Sequence, residues 1–230
     1  MMKAKKRGKP SGLPAVAGRR LHDEIYTRLC RALVDGELTP GEDVTIRALA
    51  SVFGTSPMPV RDAVGRLVAT RALEFGANRA VSVPVMTRAK YQEILQVRLV
   101  LEPMVTRRAV PNLTSQRLSF LEQLNEDMAA AAAAGDAKKY FDCNRQFHLS
   151  IYEVANSIVI LPFIEILWMH SGPFLNLMFN RTGIDAGHDN HHEIMRCLRR
   201  GDADAAGVAV AKDLSDAADT VLARAVFSDG

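Results

Sequence analysis

The sequence predicts a mainly helical protein in two unlike parts: an N-terminal unit of short helices closed by a two-stranded hairpin, and a C-terminal antiparallel all-α helical bundle. Three observations predict it. Between residues 45 and 67 two apolar stripes at helical spacing are separated by only a few turn residues. Residues 72–75 and 80–83 alternate as strands do, across a short loop that contains Gly76 and Asn78. Beyond Pro84 the pattern is helical throughout, with few glycines or prolines.

Bulk properties bound the possibilities. A chain of 230 residues, 48% hydrophobic, has ample material for one large domain or two modest ones. No apolar run approaches the ~20 residues that span a bilayer, and the N-terminus lacks the apolar core of a signal peptide, so the expected location is the cytoplasm, with no membrane partner. Cys30, Cys143 and Cys197 are odd in number and far apart, as reduced packing thiols are. The net charge of +3 hides an asymmetry: residues 1–88 hold 15 Lys and Arg against 8 Asp and Glu, whereas residues 89–230 hold 14 against 18. A basic first half points to a polyanionic partner.

The elements follow in order. The opening MMKAKKRGKPSG has five basic residues in its first nine and no acid, so residues 1–17 read as a disordered basic tail. Leu21, Ile25, Leu29, Ala32 and Leu33 then mark an amphipathic helix, ended by Gly36 and Pro40-Gly41. Thr45 is the natural N-cap of a short helix with Ile46, Leu49, Ala50 and Phe53 on one face, and Gly54 is its stop. Pro57 and Pro59 fit only the first turn of a helix, so the next one starts near Met58 and buries Val60, Ala63, Val64 and Leu67.

Two short helices across a tight turn make a helix-turn-helix, and the hairpin after it makes a wing with Asn78 and Arg79 at the tip. Residues 18–84 are therefore expected to form one winged helix-turn-helix unit. By itself Arg61 reads as a solvated surface charge. The proline-set bend instead directs the first turn of its helix at a major groove, and the wing at backbone or minor groove. In residues 88–227 the periodicity predicts helices near 88–109, 114–134, 137–155, 158–181, 186–200 and 202–226.

In order and identity these motifs resemble the GntR family of bacterial transcription regulators, and the helical half is similar to the FCD effector domain of its FadR branch. The resemblance rests on Ile46-Arg47-Ala48-Leu49-Ala50 and Pro59-Val60-Arg61-Asp62-Ala63-Val64 in the first half. In the second it rests on Arg98-Leu99-Val100-Leu101-Glu102, Asn144-Arg145-Gln146-Phe147-His148, and His191 running on to Leu198-Arg199-Arg200-Gly201-Asp202. It implies a homodimer that reads a palindromic double-stranded operator, acts as a repressor, and binds a small carboxylate effector in the helical domain. The DNA contacts it implies are Arg47, Ser56, Arg61 and the wing residues Asn78 and Arg79. The candidate face also takes in Thr55, Met58 and Arg66. The residue before Met58, usually arginine in the family, is Pro57 here, which leaves more of the recognition to Arg61 and Arg47.

A second site is suggested by the histidines. Asn144 and His148 lie four apart on a predicted helix and share a face. That pair alone reads equally as a core histidine with a polar partner or as half of a metal chelate. The resemblance implies a divalent cation held by Asn144, His148, His191 and Asp213, the last standing where a histidine is usual. Two imidazoles, a carboxylate and an amide oxygen suit Zn²⁺, Ni²⁺ or Mn²⁺. His188 and His192 are expected on a solvated face, and Tyr140, Phe147, Trp168 and Met178 as packing. Arg98, four before Glu102, forms either a surface ion pair or, as the resemblance implies, a clamp for the effector carboxylate.

Two other classes compete. A metal-dependent hydrolase would use His148, His191 and Asp213 to activate water, but no general-base motif accompanies them and an enzyme has no need of the winged helix. A DNA-packaging protein would explain the basic tail but not a polar pocket.

Overall fold

The computed structural model describes residues 19–76, 80–182 and 188–228. Helix α1 (Arg19–Val34) buries Ile25, Leu29 and Leu33 against α3 (Pro57–Ala69). Leu21, expected on the same stripe, is 43% exposed, because the packed seam begins only at Ile25. A strand that the sequence reading lacked, β1 (Asp43–Thr45), precedes α2 (Ile46–Val52). The Thr45 hydroxyl accepts from Ala48 N at 3.1 Å, as expected of an N-cap.

Gly54 at φ +62° turns the chain between α2 and α3, a conformation that costs glycine least. Helix α3 opens one residue earlier than expected, with Pro57 first in the helix. Past α3 only Glu74–Phe75 forms strand β2. Ala72 and Leu73, expected in that strand, instead close the helix end: Arg71 has φ +58° and the amides of both residues bond to Leu67 O. Strand β3 (Ala80–Ser82) lies between β1 and β2 in an antiparallel sheet, with Val81 opposite both Val44 and Phe75.

The second half follows the expected helices closely: α4 (Arg88–Ala109), α5 (Ser115–Ala133), α6 (Ala137–Val154), α7 (Ile160–Thr182), α8 (His188–Arg200) and α9 (Ala203–Arg224), and a 3₁₀ turn, Val110–Asn112, follows α4. Thr87, Thr114, Asp136 and Asp202 cap four of them, each side chain accepting from the amide three residues on. Helix α4 packs on α9, α5 on α6 and α8 on α9. Phe147, Ile151, Ile164, Ile194 and Val210 fill the space between them.

The two halves meet along α1 and α7. Met169 of α7 inserts into the winged-helix core beside Leu29 and Leu33. Gly172 allows the backbones to touch: a Cβ there would stand 2.7 Å from Val34 O and 2.8 Å from Val34 Cα. Polar contacts cross the seam as well, among them Arg31 with Asp142 and Lys138 with Glu37. Asn176 Nδ2 donates to Val34 O at 3.0 Å, His170 Nε2 to Thr70 O at 2.8 Å, and Arg145 Nε lies 3.2 Å from Asp35 Oδ1.

Candidate DNA-reading face and buried polar centre

Helix α3 divides its residues among three directions. Val60, Ala63, Val64 and Leu67 are buried. Asp62 and Arg66, one turn apart, face α1, where His22 Nδ1 lies 3.3 Å from Asp62 and Asp23 pairs with Arg66 at 2.9 Å. Met58, Arg61 and Gly65, at i, i+3 and i+7, form the outward stripe. Met58 is 64% exposed, and a Cβ on Gly65 would meet nothing within 4 Å. Among the described residues none forms an ion pair or hydrogen bond with Arg61, so its guanidinium extends from the first turn with all its donors available.

The other candidates for this face divide. Arg47 is exposed in the first turn of α2, where backbone N–H groups and the helix dipole also favour a phosphate. Ser56 is the exposed N-cap of α3, yet its hydroxyl makes no cap bond. Thr55 is half-buried in the turn. Arg66 differs from expectation: its guanidinium lies 3.6 Å from the centroid of the Tyr26 ring while paired with Asp23, so its position on α3 directs it to α1 rather than along the Arg61 stripe. Asn78 and Arg79 lie outside the described residues.

The second site is at the centre of the helical half. Helices α6, α8 and α9 bring His148, His191 and Asp213 together with one potential ligand atom from each within 4.8 Å of the others. His148 Nε2 lies 3.2 Å from Asp213 Oδ2, and His191 Nε2 lies 3.1 Å from Asn144 Oδ1. All four residues named in the sequence therefore converge. His188 is the first residue of α8, and His192 is exposed beside Asn125, at 3.2 Å.

A buried network fixes the state of His148. Glu102 is 0% exposed and accepts from Arg98 Nε at 2.6 Å, Trp168 Nε1 at 3.1 Å and Tyr152 Oη at 2.7 Å. A carboxylate only accepts, so the single Tyr152 proton goes to Glu102. Tyr152 oxygen, 3.2 Å from His148 Nδ1, must then accept from it. With the proton on Nδ1, the Nε2 lone pair faces the Asp213 carboxylate, a contact that attracts only if a proton or a metal ion sits at Nε2.

Burial and the adjacent Glu102 push the Tyr152 hydroxyl well above its ordinary range, which keeps it a donor. Burial also pushes the Asp213 carboxyl up, but with a proton at His148 Nε2 the hydrogen bond from that nitrogen and the charges of His191, His148 and Arg98 outweigh it and hold the group below its ordinary value. These donors fit a divalent cation: two imidazoles, a carboxylate held ionised and an amide oxygen.

Above this centre opens a cavity of about 420 Å³ between α4, α6, α7 and α9. Arg98 lines it, so the two readings of that residue are both partly met: the ion pair with Glu102 exists, but it is buried, and its guanidinium forms part of the cavity wall. Tyr140 and Trp168, expected only as packing, line the cavity too. The roles of Glu102 and Tyr152 at this centre were not foreseen in the sequence. The one signal was the Arg98/Glu102 spacing.

Comparison with known proteins finds a match for each half of the chain. Residues 21–83 match the model of the bacterial regulatory proteins, gntR family, and residues 93–216 match the FCD domain. The chain is 33% identical over 182 residues to the HTH-type transcriptional regulator McbR of Escherichia coli, covering 78% of this chain and 82% of that one. A solved structure of E. coli McbR/YncC superposes with a TM-score of 0.82 at 30% identity, over 88% of this chain and 97% of that one. The probable D-xylose utilization operon transcriptional repressor of Paenarthrobacter nicotinovorans is 26% identical over 174 residues, covering 74% and 75% of the two chains. These relatives set aside the hydrolase and the packaging protein. No helix among the described residues is long and apolar enough to cross a membrane. The chain belongs to the GntR family of DNA-binding transcription regulators, with an FCD domain as its helical half.

Proposed function

We propose that this regulator is a repressor that binds a palindromic operator as a homodimer and is controlled by a small carboxylate held over a divalent cation in the helical domain. Arg61 reads base edges from the outward stripe of α3. Arg47, Thr55, Ser56, Met58 and the wing residues Asn78 and Arg79 position the helix on the duplex. Asn144, His148, His191 and Asp213 hold the cation, Zn²⁺, Ni²⁺ or Mn²⁺, which offers a Lewis-acidic position to an effector oxygen. Arg98 supplies donors to the same carboxylate from the cavity wall.

The observation that carries the reading is the His148–Asp213 contact at 3.2 Å, with the His148 proton assigned to the far nitrogen, at the base of a cavity. The route from that cavity to the DNA unit is short. Arg145 and Asn176 line it; Asn176 donates to Val34 O at the end of α1, and Arg145 forms an ion pair with Asp35, the next residue. A ligand that moves either side chain changes how α1, and with it α3, is seated. Coupling of this kind is reciprocal, so operator DNA shifts effector affinity by the same factor. The test is metal analysis of the purified protein, followed by gel-shift titrations with organic acids. A protein that takes up no divalent cation, or operator binding that no acid alters, would overturn the reading.

A further inference from the structure

The four helices around the cavity share one arrangement. Each brings its ligand or polar anchor to the inner end and carries apolar or aromatic side chains one to three turns away. On α4, Arg98 is followed outward by Leu95 and Tyr91; on α6, His148 and Asn144 by Phe141; on α7, Trp168 by Leu175 and Phe179; on α9, Asp213 by Val221. Two helical turns span ~11 Å, so an apolar sleeve about that deep stands above the polar base. Phe141 and Phe179 meet within it, ring centroids 5.0 Å apart.

Polar groups also line the sleeve, the Tyr91 and Tyr140 hydroxyls and Arg145 among them; the Arg145 guanidinium pairs with Asp35 and Asp142, and most of the other donors are engaged within the protein. Ser171 Oγ donates to Leu167 O at 3.0 Å and Thr220 Oγ1 to Asp216 O at 3.2 Å. Asn176 Nδ2 is shared between Val34 O and Gly172 O. At the solvent side Asn190, Lys212 and Asp216 bond to one another. A polyhydroxylated ligand would therefore set hydroxyls against aromatic and aliphatic walls with few donors to replace water, a desolvation cost that an apolar body avoids.

Resting on the carboxylate-and-cation reading above, we propose that the effector is an amphipathic monocarboxylic acid. Its head sits at Arg98 and the histidine–aspartate centre, and its aliphatic or aromatic body fills the sleeve. Sugar acids are excluded as high-affinity ligands. The cavity, at about 420 Å³, accommodates such a molecule.

Calorimetric titration of the full chain, loaded with one equivalent of Zn²⁺, tests this with gluconate, hexanoate, octanoate, 3-phenylpropionate and 3-phenylpropanol. Affinity is expected to rise about fourfold per added methylene from hexanoate to octanoate, with phenylpropionate well above gluconate. Leu175→Gln is expected to flatten the hexanoate-to-octanoate gain. Gluconate binding as tightly as octanoate would overturn the apolar assignment and leave the carboxylate reading standing. 3-Phenylpropanol matching its acid would overturn the carboxylate reading instead, with the sleeve upheld. Binding of none of these acids would overturn both.

Discussion

Gly172 lies against Val34 so closely that a single methyl group would stand 2.7 Å from the Val34 carbonyl oxygen and 2.8 Å from its Cα. Both obstacles are backbone, so no rotamer change relieves them. Gly172→Ala inside a helix would ordinarily gain up to about 1 kcal/mol. Here overpacking, about 1–3 kcal/mol, wins. The variant is expected to melt at a lower temperature and to bind operator more weakly, because α1 must leave α7. A rise in melting temperature would show that the two helices separate without loss.

Tyr152 stands between two anionic or basic neighbours, donating to Glu102 and accepting from His148. Tyr152→Phe removes both bonds while keeping the ring. The buried Glu102 keeps Arg98 and Trp168, so the fold is expected to survive with a loss of about 1–3 kcal/mol. His148 loses the contact that fixes its tautomer, and Zn²⁺ affinity is expected to fall roughly 10–100-fold, measured against a chromophoric chelator. Unchanged affinity would mean that the imidazole is aimed by packing alone.

The sequence discloses this protein unevenly, for physical reasons. Periodicity locates the described helices of the second half to within a few residues, since each is long and four of them are capped by Thr or Asp. Strand β1 escapes because three residues with one apolar side chain, Val44, carry no alternation; only pairing with Val81 makes them a strand. Ala72 and Leu73 mislead because their alternation reflects burial in a helix-ending turn rather than a sheet. Among site residues, Asn144 and His148 are legible from one helix face. Joining them to His191 and Asp213 required a family pattern, and nothing in the local sequence shows that Glu102 gathers Arg98, Tyr152 and Trp168 from three helices.

His170 makes the seam between the halves sensitive to acid. Burial lowers its pKa from 6.5, against the opposing hydrogen bond to Thr70 O, and Lys90 adds to the lowering. The unfolded chain therefore takes up a proton near the ordinary value while the folded chain does not. Below that pH the unfolded state binds more protons, so stability falls as pH drops from about 6.5 toward the lowered folded pKa. His170→Gln keeps a side-chain N–H for Thr70 O and removes the titration. Its melting temperature is expected to decline less than the wild type's between pH 7 and 5, and equal slopes would exclude His170 as the source.

Arg61 carries the sharpest expectation for DNA. Its exposed guanidinium, lacking a partner among the described residues, can fork onto guanine O6 and N7, a contact worth about 1–3 kcal/mol of base discrimination. Arg61→Ala is expected to erase a specific footprint while leaving the melting temperature within about 0.5 kcal/mol equivalent, as surface substitutions do. Arg47→Ala, by contrast, is expected to weaken specific and non-specific DNA alike and to reduce the salt slope by about one. Gly65 gives an independent check on the same stripe. Open space surrounds its Cβ position, so Gly65→Glu is compatible with the protein, but it sets a carboxylate on the face turned to phosphates. Operator affinity is expected to fall with the fold intact. Wild-type affinity in both Gly65→Glu and Arg61→Ala would mean that another face of the winged helix meets the duplex.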